Sequence, residues 1–371
     1  MTRVVIAGGG TGGHLYPGVA VARELLRRQP DAVVTFAGTA RGMESRLVPK
    51  EGFALDMIRS VGLKGRSIVN ALRGLAIVPV SLVDAWTLVS RRRPHVVVGV
   101  GGYSSGPVVL IAALRRIPTM LLEQNAVPGL TNRLLARVVR AAALTYDDKG
   151  NYFGRSGFVT GNPVRPEFFD SPIPDSRSPI GDSRLAIPDG PKVLVLGGSQ
   201  GAHAINVAMV AAAAELGRRH PGIEIIHQTG PRDLDVVREG YRNIPGVHAR
   251  AESFLDRVAH EMNAADLVIC RAGATTLAEL AALGRPALLV PFPAAADDHQ
   301  TKNALVLADR GAAAVLLEVA LASRLADVIS ELLNDGPRLD TMASAMKAFA
   351  RPDAAARIVD RLEALAGSVA A

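Results

Sequence analysis

The sequence predicts an α/β protein made of two doubly wound parallel-sheet domains, and three observations carry that prediction. The run Val4-Val5-Ile6-Ala7-Gly8-Gly9-Gly10-Thr11-Gly12-Gly13-His14 returns 189 positions later as Val193-Leu194-Val195-Leu196-Gly197-Gly198-Ser199-Gln200-Gly201-Ala202-His203. Apolar runs of strand length recur along the chain with helical segments between them, as in parallel sheets covered on both faces by helices. At 371 residues and 49% hydrophobic, the chain is long for one core and of ordinary size for two. Two Rossmann-like domains facing across a cleft are the expected arrangement.

Each opening reads as strand, tight turn and helix. The two helices share a charge signature, Glu24-Leu25-Leu26-Arg27-Arg28 and Glu215-Leu216-Gly217-Arg218-Arg219. Glycines let a backbone approach a ligand closely, and the following helix offers free N–H groups and a positive dipole end, so each turn is a candidate diphosphate or sugar site. Strands are expected at Val4–Ala7, Val33–Ala37, His95–Val100, Thr119–Leu122 and Ala141–Tyr146, then at Lys192–Leu196, Ile223–Gln228, Val247–Ala251, Leu267–Ile269 and Ala287–Val290. A hinge near residue 161, in Gly161-Asn162-Pro163-Val164-Arg165-Pro166, gives domains 1–160 and 161–349, with a helix over about 350–371 packing back on the first. The Pro/Ser/Asp-rich stretch Ser171–Pro191 has no periodicity and reads as a surface connection inside the second domain.

Composition narrows the function class. The single cysteine, Cys270, lies in an apolar run, so no internal disulfide is possible and a buried, inert thiol is expected in a reducing compartment. No export signal and no membrane-spanning segment is read; the longest apolar stretch, Val108–Leu122, is broken by Arg115-Arg116. Residues 1–160 hold 21 Lys+Arg against 9 Asp+Glu, a net +12, which leaves −5 for the rest. A basic first half points to an anionic partner. No basic stretch carries stacking aromatics or a nucleic-acid module, so a phosphorylated substrate or an anionic membrane surface is preferred over nucleic acid.

Four further segments sit where strands end. Val97–Pro107 contains a second glycine-rich turn, Gly101-Gly102-Tyr103-Ser104-Ser105, suited to another anion. Glu123-Gln124-Asn125 ends a strand with three polar side chains. Cys270–Glu279 passes from a strand into a helix, with exposed amides and then an acid that could accept hydrogen bonds from a ribose diol; charge placed favourably near a helix N-terminus accounts for Glu279 equally well. The loop Pro291–Asn303 is rich in groups that can read sugar hydroxyls.

In this order the segments closely resemble the MurG family of bacterial cell-wall glycosyltransferases, which add N-acetylglucosamine to lipid-linked muramyl-pentapeptide. The resemblance spans nearly the whole chain and is most specific in GGGTGGH with Pro17-Gly18, GGYSSGP, EQNAVPGLTNR over 123–133, GNPVR over 161–165, GGSQGAH over 197–203 and the helix start Gly273–Glu279. It implies a GT-B glycosyltransferase fold, a UDP-N-acetylglucosamine donor held mainly by the second domain, and an undecaprenyl-pyrophosphoryl-MurNAc-pentapeptide acceptor held by the first, at Gly101, Gly102, Tyr103, Ser104 and Ser105. The implied donor contacts are Thr11, Gly12, Gly13, Asn125, Arg165, Ser199, the backbone near Leu255, the helix start Ala274, Thr275, Thr276, Leu277, Ala278 and Glu279, and Gln300. It also implies a place at the cytoplasmic face of the cell membrane, no cofactor, and the cell-wall synthesis machinery as a partner. Two positions depart from the family pattern: Leu122 stands where many relatives have histidine, and His299 where many have glutamine.

Forming a β-1,4 link from a UDP-α-sugar requires inversion, with the acceptor 4-hydroxyl attacking as UDP leaves. A histidine suits the hydroxyl proton and helix N-terminal amides suit the growing charge on the diphosphate. His14 is the candidate base. If it instead holds the acceptor phosphate or the backbone, the proton leaves through Glu123, a water on Asn125 or solvent; His203, its counterpart, reads as a turn or phosphate-side residue. Asp233-Leu234-Asp235 has DxD spacing, but its polar, helix-like setting argues against a metal, and none is expected. Leu72, Leu75, Pro79, Leu82 and Trp86, bounded by Lys64, Arg66, Arg73 and Arg91-Arg92-Arg93, form either a membrane-facing stripe or a core helix interrupted at Pro79. Rival readings are another GT-B enzyme of UDP-sugars, a glycolipid synthase or a UDP-N-acetylglucosamine 2-epimerase. A nicotinamide dehydrogenase is disfavoured by Ala37-Gly38-Thr39, which supplies no acid at the second strand end. The convergence of polar groups at strand ends argues against a non-catalytic binding module.

Overall fold

A computed structural model describes residues 1–10, 12–40, 42–60, 68–169, 190–198 and 201–368, with backbone alone over 68–76. Its contacts divide the chain into two units: Met1–Arg165 together with the segment from Arg351 onward, and Pro166–Ala350.

The first unit runs β1 (Arg3–Ala7), α1 (Gly12–Arg28), β2 (Val33–Gly38), α2 (Glu44–Lys50), β3 (Ala54–Met57), α3 (Ile68–Arg92), β4 (Val96–Gly99), α4 (Ser105–Leu114), β5 (Thr119–Glu123), α5 (Leu130–Leu135), β6 (Ala141–Leu144) and β7 (Gly157–Val159). The second runs β8 (Lys192–Leu196), α6 (His203–Arg219), β9 (Ile223–Gln228), α7 (Leu234–Gly240), β10 (Val247–Glu252), α8 (Val258–Ala264), β11 (Leu267–Cys270), α9 (Ala274–Leu283), β12 (Ala287–Leu289), α10 (His299–Ala308), β13 (Ala313–Val315), α11 (Leu321–Leu333) and α12 (Gly336–Lys347); α13 (Ala354–Gly367) follows.

Both sheets are parallel throughout and share one winding, β3-β2-β1-β4-β5-β6-β7 and β10-β9-β8-β11-β12-β13. The order reverses at β1/β4 and at β8/β11, the two places where such sheets open a crevice beyond their carboxyl ends. Val4 lies opposite Val34 and Val96; its counterpart Val193 lies opposite Ile225 and Leu267. All ten expected strands are present. The three not anticipated, β3, β7 and β13, are sheet edges with at most one fully buried residue each, so they lack the unbroken apolar run that marks a central strand.

In the first unit, α1 and α13 pack on one face of the sheet around Val4, Ile6, Leu25, Ile358 and Leu362, and α3, α4 and α5 on the other around Val5, Val97, Ala85, Val109 and Leu135. The charge signature is the same clamp twice. Glu24 accepts hydrogen bonds from Arg27 and Arg28, Glu215 from Arg218 and Arg219, and these arginines hold both carboxyls well below the usual range. Arg28 then reaches Asp360 on α13 at 2.6 Å, as Arg219 reaches Asp327 on α11 at 2.9 Å.

Two expectations are corrected. The chain leaves the first unit after Arg165 rather than at 161, since the N–H groups of Thr160 and Gly161 both donate to Leu144 O at the end of β6. Helix α3 runs unbroken through Pro79. Its buried face is Ser81, Ala85, Leu88 and Val89; Leu82 packs beside them, while Val78, Pro79, Val83 and Trp86 are exposed, so the expected stripe is split between core and surface. The side chains of Leu72, Leu75 and Arg73, and residues Lys64 and Arg66, lie outside the described parts, as does most of Ser171–Pro191. Among the described residues no helix is long and apolar enough to cross a membrane.

Candidate active site

In the first unit the turns after β1 and β4 meet backbone to backbone. A Cβ on Gly102, which sits at φ +79°, would lie 2.5 Å from Gly9 O, so the approach depends on glycine at that position. This places the start of α1, with Gly12, Gly13 and His14, beside Gly101–Ser105. The half-buried imidazole of His14 rests against Gly101, where a Cβ would fall 2.9 Å from its Cδ2. The Arg165 guanidinium lies 4.9 Å from the centre of the Tyr16 ring on α1, so it joins the same end of the sheet. Thr11 lies outside the described residues.

The acceptor assignment needs refining at its serines. Tyr103 is exposed, but Ser104 and Ser105 are buried, and the Ser105 hydroxyl donates to Gly102 O at 2.9 Å. Ser105 closes its own turn because the first residue of α4 points back under the loop.

Glu123 is also corrected. Its side chain is buried at the end of β5. Oε1 accepts from the Asn125 N–H at 3.0 Å and Asn125 Nδ2 at 3.3 Å; Oε2 accepts from the Gly129 N–H at 3.1 Å and Asn132 Nδ2 at 2.8 Å. Burial raises its pKa and these hydrogen bonds only partly offset that. Both oxygens are engaged in shaping the 124–132 loop, so Glu123 positions Asn125 and is not placed to take a substrate proton. Gln124 ties the same loop to the second turn, donating to Val100 O at 3.1 Å.

In the second unit the turn after β8 is held by Gln228, which donates to Gly198 O at 3.0 Å while its Oε1 accepts the Leu255 N–H at 3.1 Å. One side chain thus fixes both the glycine turn and the Leu255 backbone. Gly201, at φ +77°, packs directly on Thr229 O, which accepts from Asn206 Nδ2. Asn206 Nδ2 also donates to Asp233 Oδ2, leaving its Oδ1 to accept from His227 Nε2. Buried His227, pushed down to about 4 by burial and therefore neutral, has its Nδ1 on the Tyr241 hydroxyl. Asp233 is engaged by Asn206 and by His203 Nδ1 at 3.0 Å, which gives it a structural role at the start of α7. Among the described residues no group of three or more His, Cys, Asp or Glu could hold a metal ion. Ser199 lies outside them.

Helix α9 starts at the carboxyl end of β11, at the reversal of strand order, with Gly273 extended as its N-cap residue. Ala274 to Ala278 form its first turns. Glu279 is buried and shares a face with half-buried Thr275 and Thr276. Its charge adds to burial in pushing the Cys270 thiol up to about 12, so that thiol is inert as expected. The loop after β12 is braced by Arg271, which donates to Val290 O and Pro291 O, pairs with Glu318 and stacks 5.3 Å from the Phe292 ring centre. Gln300 accepts the Phe292 N–H at 3.0 Å, and His299 Nδ1 donates to Ala296 O. Asp297 and Asp298 both sit at positive φ, 56° and 54°, strain of the kind that gathers at functional loops.

The structure therefore assembles the first-unit residues at one sheet end, and in the second unit places Leu255, the α9 start and Gln300 beyond three strand ends. Gln228 and Arg271 carried no sequence signal of their own.

The comparisons agree with this layout. The glycosyltransferase family 28 N-terminal domain matches residues 4–144 and the family 28 C-terminal domain residues 192–358. A UDP-N-acetylglucosamine–N-acetylmuramyl-(pentapeptide) pyrophosphoryl-undecaprenol N-acetylglucosamine transferase from Anaeromyxobacter sp. (strain K) is 45% identical, over 96% of this chain and 91% of that protein. The enzyme of the same name from Myxococcus xanthus is 42% identical over 97% and 92%. The crystal structure of Acinetobacter baumannii MurG superposes with a TM-score of 0.77 at 31% identity, covering 98% of this chain and 99% of that one. With both domain models matched in chain order on the two sheets that carry these turns, and with relatives of this identity along nearly the whole length, the chain belongs to glycosyltransferase family 28.

Proposed function

We propose that this protein transfers N-acetylglucosamine from UDP-N-acetylglucosamine to the 4-hydroxyl of undecaprenyl-pyrophosphoryl-MurNAc-pentapeptide, with inversion, in peptidoglycan synthesis. The observation that carries the reading is the 45% identity, spanning both units, to a transferase named for these substrates. The turns supply the chemistry it needs. His14 takes the proton of the attacking hydroxyl, and the amides and dipole at the start of α9 take up charge on the departing diphosphate. Glu279 accepts the ribose hydroxyls, with Leu255, Ala274–Ala278, Gln300 and Ser199 completing the donor contacts of the second unit, and Gly12, Gly13, Thr11, Asn125 and Arg165 those of the first. The exposed Tyr103 and the Gly101-Gly102 backbone meet the acceptor.

Radiolabelled UDP-N-acetylglucosamine offered with a short-chain lipid-linked muramyl-pentapeptide tests this: label is expected in the lipid product. Consumption of the UDP-sugar without lipid would make the protein an epimerase.

The lipid acceptor calls for a surface at the cytoplasmic face of the membrane, and the first unit supports one. Val83 and Trp86 on α3, Leu114 on α4 and Leu134 on α5 are all more than half exposed on neighbouring helices, with Arg115 stacked 4.8 Å from the Trp86 ring centre. Apolar tips beside cations suit an anionic interface. Binding to anionic vesicles is expected to weaken as salt rises, and Val83→Ser with Trp86→Ser to remove the part that survives high salt. Co-sedimentation equal to the parent's would rule out these side chains as the contact.

A further inference from the structure

The first glycine turn is backed by a side chain that the reading above does not use. Glu44, the first residue of α2, is fully buried. Its Oε2 accepts the Gly10 N–H at 2.9 Å, and its Oε1 accepts both the N–H and the hydroxyl of Thr39 at 2.8 Å. Three glycines surround the carboxyl group: a Cβ on Gly9 or Gly42 would overlap it, and one on Gly38 would come within 2.5 Å of Glu44 Cγ. On its far side Gly9 presents its carbonyl to Gly102, the residue after the one on which the His14 imidazole rests. Gly9 is thus held between a carboxylate and the second turn, and the Gly10 amide, which a phosphate-binding turn would offer to its ligand, is already occupied. The equivalent turn of the second unit is held by the neutral amide of Gln228 instead.

We infer that Glu44 is a positioning residue for the transfer: it fixes the first glycine turn, and through it the start of α1 and the placement of His14 against Gly101. This rests on His14 acting at the acceptor hydroxyl. A carboxylate is required because three donors converge on two oxygens. An amide has one acceptor oxygen, so in either orientation its NH₂ faces an N–H, at Gly10 or at Thr39. A shift of the turn by a fraction of an ångström is felt in the chemical step, where a misplacement of about 1 Å costs on the order of 10²-fold.

The test compares Glu44→Gln, Glu44→Asp and Thr39→Val by kcat, both KM values, UDP affinity by calorimetry and thermal midpoint. Glu44→Gln and Glu44→Asp, which retracts the carboxyl from Gly10, are expected to lower kcat by roughly 10–100-fold, with UDP affinity within about twofold of the parent and with the loss of rate toward acid pH that a neutral His14 base requires still present. Thr39→Val loses a Glu44 bond on the strand side only, and should keep kcat within about threefold despite a lower midpoint. Parental kcat in Glu44→Asp overturns the inference even if Glu44→Gln does not fold. So does a fall in kcat that simply follows the midpoint across all three variants. A parent that places no label in the lipid refutes the functional reading instead.

Discussion

Replacing His14 with alanine is expected to slow turnover by roughly 10²–10⁴-fold while UDP-N-acetylglucosamine still binds with parental affinity. The imidazole sits at the first turn of α1 against Gly101, beside the turn assigned to the acceptor, whereas the α9 start assigned to the ribose belongs to the other unit. A base must be neutral to accept the hydroxyl proton, so the parental rate should fall on the acidic side as the imidazole protonates, and the variant should lose that limb. Rate against pH for both proteins, with donor affinity by calorimetry, decides the point. A variant that keeps the limb and shows only a raised acceptor KM would make His14 a phosphate ligand. The proton would then pass to water, since both oxygens of Glu123 are already engaged.

Glu279→Ala is expected to weaken donor binding by about 2–3 kcal/mol, the loss of a pair of charge-assisted hydrogen bonds, with the acceptor KM near the parent's. The side chain is buried on α9, on the helix face it shares with Thr275 and Thr276. Calorimetric titration with UDP separates the two accounts left open by the sequence. Unchanged affinity in a folded variant would leave Glu279 as a helix-end charge, and nothing more.

The central strands were legible because residues such as Val96–Val98 and Leu267–Ile269 are buried on both faces and form unbroken apolar runs. Edge strands such as Gly157–Val159, half-buried throughout, leave no such mark. Glycine turns and the helix starts behind them were legible for a related reason: a close backbone approach demands a particular residue at a particular place. The supports of those turns were not. Glu44 meets Gly10 across 34 positions and Gln228 meets Leu255 across 27, and nothing local in either segment says where its side chain ends. Glu123 shows the converse error, in which a polar residue at a strand end looks catalytic although its loop has already claimed every acceptor site.

The return of α13 to the first sheet sets an order of synthesis and folding. Pro166–Ala350 is one uninterrupted stretch, so the second unit has its whole core once that stretch has left the ribosome. The first unit is made earlier yet finished later. Ile358, Val359, Leu362 and Leu365 belong to the same buried cluster as Val4 and Ile6, and Arg28 finds Glu363 only across 335 positions. Until α13 emerges, the face of β1 and α1 that it covers stays open to water, and the nascent chain carries an uncapped apolar surface through the synthesis of an entire second domain. The loop-closure cost of that late pairing grows only slowly with length, but the time spent exposed grows with every residue in between. The half made first is therefore the half exposed longest to misassembly.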